Sequence, residues 1–391
     1  MNLFFFLGNA GTVLFIAAIF AITPVLIRKS LLFGVRIPEA AADLPECKSL
    51  KYSYYTLVAI GSLIVVAASV IQYLAAPEYS LLCWMYFPFV MIGVQFAAFI
   101  PQWKKAVALK SERGWNVPLT GLVDTRSAVS REKLSHMRWG WHIANLALVV
   151  IMIVWTVIVY PGVPDRLILH WSAAMQPDRW GDKNIMNVMI MPLVALGFAL
   201  LMAACNIIVY RQKLQVSAEH PQLSFAQHRL YRRMLGNALG FMTFCFTVMF
   251  AFIQPTILNM FAPSNVYMSL VIGIACVLGI VPVIYAPIKA GQSGCKLKPS
   301  FVPDSLAEET ASTGANATHP GRGDDRFWKL GMFYYNTDDP SVLVEDRFGG
   351  GGGSGFNYAR IQSKIFVIAI AVIIIAAYIP LTIFLLRYPI S

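Results

Sequence analysis

The stretch LILHWSAAMQPDRWGDKN, Leu167 to Asn184, gathers reactive and aromatic side chains in a sequence otherwise dominated by apolar runs. His170 and Asp178 form the orienting half of an acid–base or nucleophilic site, which needs a nucleophile or a metal to complete it. The chain has no GxSxG, no HExxH and no Cys/His cluster at ligand spacing, so neither partner is expected, and no cofactor either. Two other roles suit the same residues. Trp171 and Trp180 could anchor an ordered lid at headgroup depth, with Asp178, Arg179 and Lys183 paired on its surface. Alternatively His170, Trp171, Asp178, Trp180, Gly181 and Lys183 form a recognition loop for something arriving from outside. Within this stretch, Leu167 to Trp171 reads as extended, Ala173 to Met175 as a short turn and Pro177 to Gly181 as another turn. Asp182 is positioned to cap the helix that follows.

What must position this loop is a membrane. The 391 residues are 57% hydrophobic and 13% charged, whereas a soluble domain carries about 25% charged residues. Eight apolar segments reach the roughly 20 residues needed to cross a bilayer: 3–27, 56–75, 81–101, 141–160, 185–209, 235–257, 266–288 and 365–386. Backbone groups in lipid must be satisfied within the segment, which makes these segments helices. The expected fold is an all-α polytopic bundle of about eight transmembrane helices, with a small module before the last. None of the eight contains Asp, Glu, Lys or Arg. Their polar residues (Gln72, Gln95, His142, Asn145, Asn187, Asn206, Asn237 and Gln254) are the kind that join helices to one another. Pro24, Pro88, Pro192 and Pro282 could break helices around a transport site, but a proton-coupled transporter would be expected to hold a carboxylate at mid-membrane.

The net charge of +11 has a topological explanation and requires no nucleic acid. Of the 31 Lys and Arg, 27 fall in the regions 28–55, 102–140, 210–234 and 289–364. Positive charge is retained on the cytoplasmic side, which puts both termini and the 161–184 loop outside. Basic inner loops also suit anionic lipid headgroups. The six cysteines form no CxxC pair and read as small apolar packers.

Three inner regions remain. FGVRIPE, Phe33 to Glu39, offers a glycine able to take positive φ and a proline that extends Ile37. It should be a turn followed by a short interfacial helix, with Gly34, Arg36, Pro38 and Glu39 as candidate site residues. KKAVALKSERGW should continue the third helix beyond the bilayer, and a turn is expected at Pro221 between His220 and His228. Between 289 and 364, PDSLAEETASTGANATHPGRGDD has too little apolar surface to fold. FWKLGMFYYNTDDP then reads as a hairpin-like module with Asn336 to Pro340 as its turn. Its Trp328, Tyr334, Tyr335, Asn336 and Asp339 are candidates for binding a cytosolic partner. The glycines 349–353 lack the Lys-Ser/Thr of a P-loop and read as a hinge before the last helix. The domain division expected is 1–140, 141–288, 289–364 and 365–391.

The 164–183 segment resembles the motif P-x-x-(I/V)-P-x-H-(F/W)-x-x-x-G-x-x-D-x-(W/Y)-G-x-K of the SdpI-like family of bacterial membrane proteins. His170, Trp171, Asp178, Trp180, Gly181 and Lys183 fall on it, while the proline shortly before the histidine and the first glycine of the motif are replaced by other residues. FGVRIPE and WKLGMFYYNTDDPSVLVEDRFG…FNYAR resemble segments that accompany the motif. The resemblance implies a multi-pass protein of the bacterial cytoplasmic membrane. Its implied role is non-enzymatic: immunity to, or sensing of, an extracellular peptide or envelope stress, with membrane lipids and a cytosolic protein as partners. The rival expectations are a small-molecule or peptide transporter, or a membrane enzyme acting on lipid or cell-wall precursors.

Overall fold

The structure is a computed structural model that describes residues 2–115, 121–124, 137–171, 176–211, 214–217, 221–262, 264–299, 320–347 and 354–387. Among them, eight helices are long and apolar enough to cross a membrane: α1 Asn2–Leu26, α2 Pro45–Ala75, α3 Ser80–Glu112, α4 Gly140–Val159, α5 Ile185–Arg211, α6 Pro221–Ile257, α7 Asn265–Ala290 and α8 Ile361–Arg387. The protein is a polytopic all-α membrane protein, and short two-stranded sheets occur only between the helices. The chain divides into two compact units. One joins Met1–Asp124 to Leu214–Ser224 and Pro303–Ser391; the other comprises Thr125–Lys213 and Phe225–Val302. The first three helices thus share a unit with the module and the last helix.

Within the first unit, α1, α2 and α3 pack together through apolar contacts punctuated by single polar bonds. Asn9 donates to the Ser69 hydroxyl at 2.7 Å, Gln95 to Ser62 at 2.9 Å and Gln102 to Ser53 at 3.1 Å. Each ties one helix to α2, as side-chain amides do in lipid. Pro24 lies inside α1 and has no N–H for the Phe20 carbonyl one turn back. The buried Tyr54 hydroxyl donates to that carbonyl at 3.0 Å instead. The α3 helix runs on to Glu112, as its amphipathic end predicts. Strands β3 (Gly121–Asp124) and β6 (Leu214–Ser217) pair antiparallel, a strand pair that the mixed charges around them did not suggest.

The second unit follows the same logic. Thr247 of α6 donates to Asn145 of α4 at 2.9 Å, and Gln254 donates to the Val188 carbonyl of α5 at 2.8 Å. Asn206 of α5 donates to the Gly236 carbonyl of α6 and meets His142 Nε2 of α4 at 3.0 Å. Gln72 and Asn187 differ from this pattern, bonding to the nearby carbonyls of Ala76 and Asp182. The turn expected at Pro221 is instead the start of α6, and His228 lies well inside that helix. Proline suits a first helical position because its missing N–H would have no partner there.

Candidate functional site

The motif of the 161–184 loop folds as a β-hairpin, β4 (Arg166–Trp171) against β5 (Pro177–Asp182). The extended reading of Leu167 to Trp171 holds. The expected turn at Pro177 to Gly181 is a correction: those residues form the returning strand, with Pro177, Arg179, Trp180 and Gly181 pairing across the ladder rather than reversing the chain. Ala173 to Met175 lies outside the described residues. The base of the hairpin is apolar, with buried Leu167 packed on Val163, Val188 and Leu258 at the ends of α4, α5 and α6.

The register steps between Ile168 and His170 and again before Trp171, so Leu169 occupies a bulge. Bulges re-aim side chains. Leu169 folds over Gly181, where a Cβ would meet Leu169 Cδ1 at 2.5 Å and Asn187 Nδ2 at 3.0 Å. The Leu169 side chain therefore fills the space that Gly181 leaves open. His170 Nδ1 lies 2.6 Å from Asp178 Oδ1, with the two side chains 65% and 45% exposed. An ion pair that open to water is worth roughly 0–1 kcal/mol. It does little to hold the hairpin, yet it fixes the imidazole and leaves its other edge to solvent. Trp180 is also exposed, whereas the indole N–H of Trp171 is buried with no hydrogen-bond partner among the described residues.

Lys183 does not pair with Asp178 or Asp182. Its ammonium donates to the Val163 carbonyl at 2.7 Å and sits 4.9 Å from the centre of the Tyr160 ring. It thereby closes the frayed end of α4, where cations meet unsatisfied carbonyls favourably. The helix cap is likewise Asn184, whose Oδ1 accepts the Asn187 N–H at 2.8 Å, rather than Asp182. Asp182 contributes its backbone carbonyl to the Asn187 amide. One position can satisfy the third N–H of a helix only if it lies three residues before it.

The module begins earlier than its composition suggested. Pro320–Gly323 is a one-turn helix, and Arg322 and Asp324 are buried. A hairpin follows, β7 (Trp328–Lys329) with β8 (Phe333–Tyr334), and then β9 (Leu343–Glu345) with β10 (Ser354–Phe356). The chain reverses at Leu330 and Gly331, whose φ values are 53° and 74°. Asn336 to Pro340 is a second bend, where the Asn336 and Asp339 side chains accept the Asp338 and Ser341 N–H groups. The glycines 349–353 and residues 301–319 lie outside the described residues.

Trp328, Tyr334, Asn336 and Asp339 all face inward. Arg322 forms a forked pair with Asp339 at 2.7 and 3.2 Å. The Tyr334 hydroxyl donates to Asp339, and Asn336 donates to Tyr334. Burial works to raise the Asp339 carboxyl, but the Arg322 guanidinium outweighs it and holds the group at about 2. Burial also pushes the Tyr334 phenol up to about 12. These four residues build the module; Tyr335 alone among the five candidates is exposed.

FGVRIPE forms the matching hairpin, β1 (Leu31–Leu32) and β2 (Val35–Arg36), followed by the short 3-10 helix Glu39–Asp43. Phe33 and Gly34 have φ 49° and 79°, a two-residue turn of the kind that suits strand twist. Its tip meets the module's tip backbone to backbone: a Cβ on Gly34 would lie 2.0 Å from the Gly331 carbonyl oxygen. Arg347, missed in the sequence, locks the two together. It donates to the Gly34 carbonyl at 2.8 Å, to Asp325 and to the carbonyls of Arg322 and Gly323, and lies 4.5 Å over the Trp328 ring. Burial lowers its pKa to about 10 despite Asp325, so it stays charged at neutral pH. Asp325 also takes the Arg36 N–H and the Lys110 ammonium, and Arg28 pairs with Glu345. Pro38 sets the start of the 3-10 helix, its carbonyl accepting the Ala41 N–H, and Glu39 is exposed. The missed residues share one signal: Arg and Asp flanking an aromatic hairpin, in a chain that otherwise keeps its charge sparse.

A family model described as a domain of unknown function, DUF1648, matches residues 147–196. That span runs from the middle of α4 through the entire β4–β5 hairpin into the first turns of α5. No curated protein and no solved structure matches the chain. The segment around the His170–Asp178 hairpin is thus the part of this membrane protein that is similar to a recognised domain, one whose function is unknown.

Proposed function

We propose that this is a non-enzymatic, SdpI-like protein of the bacterial cytoplasmic membrane whose β4–β5 hairpin recognises an extracellular peptide, conferring immunity or sensing envelope stress. The observation that carries the reading is the exposed His170–Asp178 pair on a hairpin rooted between three helix ends. An ordered, water-facing imidazole beside the exposed Trp180 offers a hydrogen-bonding edge and an aromatic face, the two elements that recognition surfaces concentrate. Both termini would then lie outside and the module inside. A cytosolic protein partner for the module rests on the family resemblance alone.

The test is survival of a deletion strain challenged with membrane-active peptides, complemented with wild type, His170→Ala or Asp178→Ala at matched membrane abundance. Wild type should restore survival and both variants should lose it. Equal protection by all three ends the reading. A role in holding the hairpin would show as lowered abundance instead, since neither side chain contacts the apolar base.

A further inference from the structure

The module carries a second face that its folding does not use. Alternate residues of a strand point to opposite sides, and β8 obeys this: Tyr334 is buried, while Phe333 and Tyr335 on either side are 37% and 42% exposed. Phe333 does not stand alone. Its ring meets Tyr358 edge-on at 5.6 Å, Tyr358 meets Phe356 at 6.4 Å, and Phe356 lies against Phe366 at 5.1 Å. Phe366 belongs to the first turns of α8, whose apolar run begins at Ile365 directly after Lys364. A run of this length must start at the edge of the hydrocarbon, so Phe366 marks that edge. A continuous aromatic strip therefore leads from the hydrocarbon boundary onto the module. Tyr335 stands beside it, with the Lys364 ammonium 6.0 Å from its ring centre. The opposite side of the module points away from the bilayer: Asp325 bonds Lys110 at 2.7 Å, nine residues and so about 13 Å past Pro101 along α3.

We infer that the Phe333–Tyr335–Tyr358–Phe356 face is seated in the headgroup layer of the adjoining leaflet, making the module a membrane-interface anchor. The occupant is phospholipid: rings with one apolar side and one polar edge concentrate at headgroup depth, and Lys364, beside the Tyr335 ring and directly before the apolar run of α8, meets the phosphates. The inference is independent of the hairpin's ligand, and it assigns Tyr335 to lipid rather than to a cytosolic protein.

The full chain, carrying p-benzoylphenylalanine at Phe333, Tyr335 or Arg326, is reconstituted in nanodiscs of phosphatidylglycerol and phosphatidylethanolamine and irradiated. Arg326, highly exposed on the Asp325 side, is the reference. Mass spectrometry should find lipid adducts several-fold more abundant at 333 and 335 than at 326. Equal yields at the three positions overturn the inference, as do adducts to a cellular protein at 333 and 335 in whole cells without lipid adducts in nanodiscs. Hydroxyl-radical footprinting of the unmodified chain in the same nanodiscs removes any folding ambiguity. Tyr335 should be protected to the extent of Phe366; oxidation like that of a water-facing tyrosine refutes the anchor.

Discussion

Replacing Gly34 with alanine should release the module from the first unit's helices. The glycine sits at φ 79°, a left-handed conformation that costs an L-residue roughly 1–2 kcal/mol. The new methyl would also lie 2.0 Å from a backbone oxygen of Gly331, where an ordinary contact begins near 3.4 Å. No rotamer change relieves a clash with backbone, so the two hairpin tips must part by the difference. That displacement breaks the 2.8 Å bond from Arg347 to the Gly34 carbonyl and stretches the 3.3 Å bond from the Arg36 N–H to Asp325. Each involves a charged group, worth about 1.5–3 kcal/mol, and Arg347 is left buried with fewer partners. The expected loss in docking is about 3–5 kcal/mol, enough to shift a closed module to a largely open one. Hydrogen exchange should show lost protection in residues 31–36 and 328–334 together, with the α4–α7 unit unchanged. Gly93→Ala, which meets nothing within 4 Å, is the control and should change neither. Retained protection at both hairpins in Gly34→Ala would refute the backbone-to-backbone contact.

Three further outcomes follow from named contacts. Asp339, held at about 2, below the ordinary aspartate value of about 4, binds fewer protons when folded than when unfolded, so it stabilises the module above the unfolded value. At about 1.4 kcal/mol per unit, roughly 2 kcal/mol is lost as pH falls from about 4 to 2; Arg322→Met should abolish that dependence of module protection. Gly181→Ala should destabilise the β4–β5 hairpin by about 1 kcal/mol, because the nearest obstructing atom is the flexible end of Leu169, and Leu169→Ala should restore native exchange in β4 and β5. Tyr54→Phe strands the Phe20 carbonyl in an apolar setting and should lower the thermal unfolding midpoint by the equivalent of about 1–2 kcal/mol. Adding Pro24→Ala supplies an N–H to that carbonyl, so Tyr54→Phe should cost nearly nothing in the Pro24→Ala background; additive losses would show that the hydroxyl does not replace the missing N–H.

The membrane architecture was legible because one variable decides it. A run of apolar residues without charge has no stable alternative to a helix across lipid, and all eight runs became helices. Their ends were less legible. The α2 helix begins at Pro45 and α6 at Pro221, well before their apolar stretches, because proline suits a first helical position while hydropathy marks only the part of a helix that crosses lipid. The pairing of His170 with Asp178 was legible, but the partner of Lys183 was not. Lys183 looked toward nearby carboxylates in sequence and reaches carbonyls 20 residues back, a choice made by where α4 ends in space.

The module shows a sharper limit. Their aromatic side chains singled out Trp328 and Tyr334, and aromatic residues in a polar loop suggest a binding surface as readily as a core. Only the pairing of β7 with β8 and the position of Arg347 over Trp328 decide between them. Of two glycines 297 residues apart, Gly34 read as a turn glycine and a candidate site residue, while Gly331 carried no reading of its own. Both take positive φ, and that explains glycine at each one locally. The close approach of their backbones imposes a second requirement that no local pattern carries, since it exists only once the two hairpins meet. The charges around that contact then acquire a purpose: Asp325 gathers Arg36, Lys110 and Arg347, so one carboxylate joins the first hairpin, the third helix and the module. In a chain that excludes charge from every membrane span, this is where its ionic interactions converge, and it places the joint between module and helices among the most specific contacts of the fold.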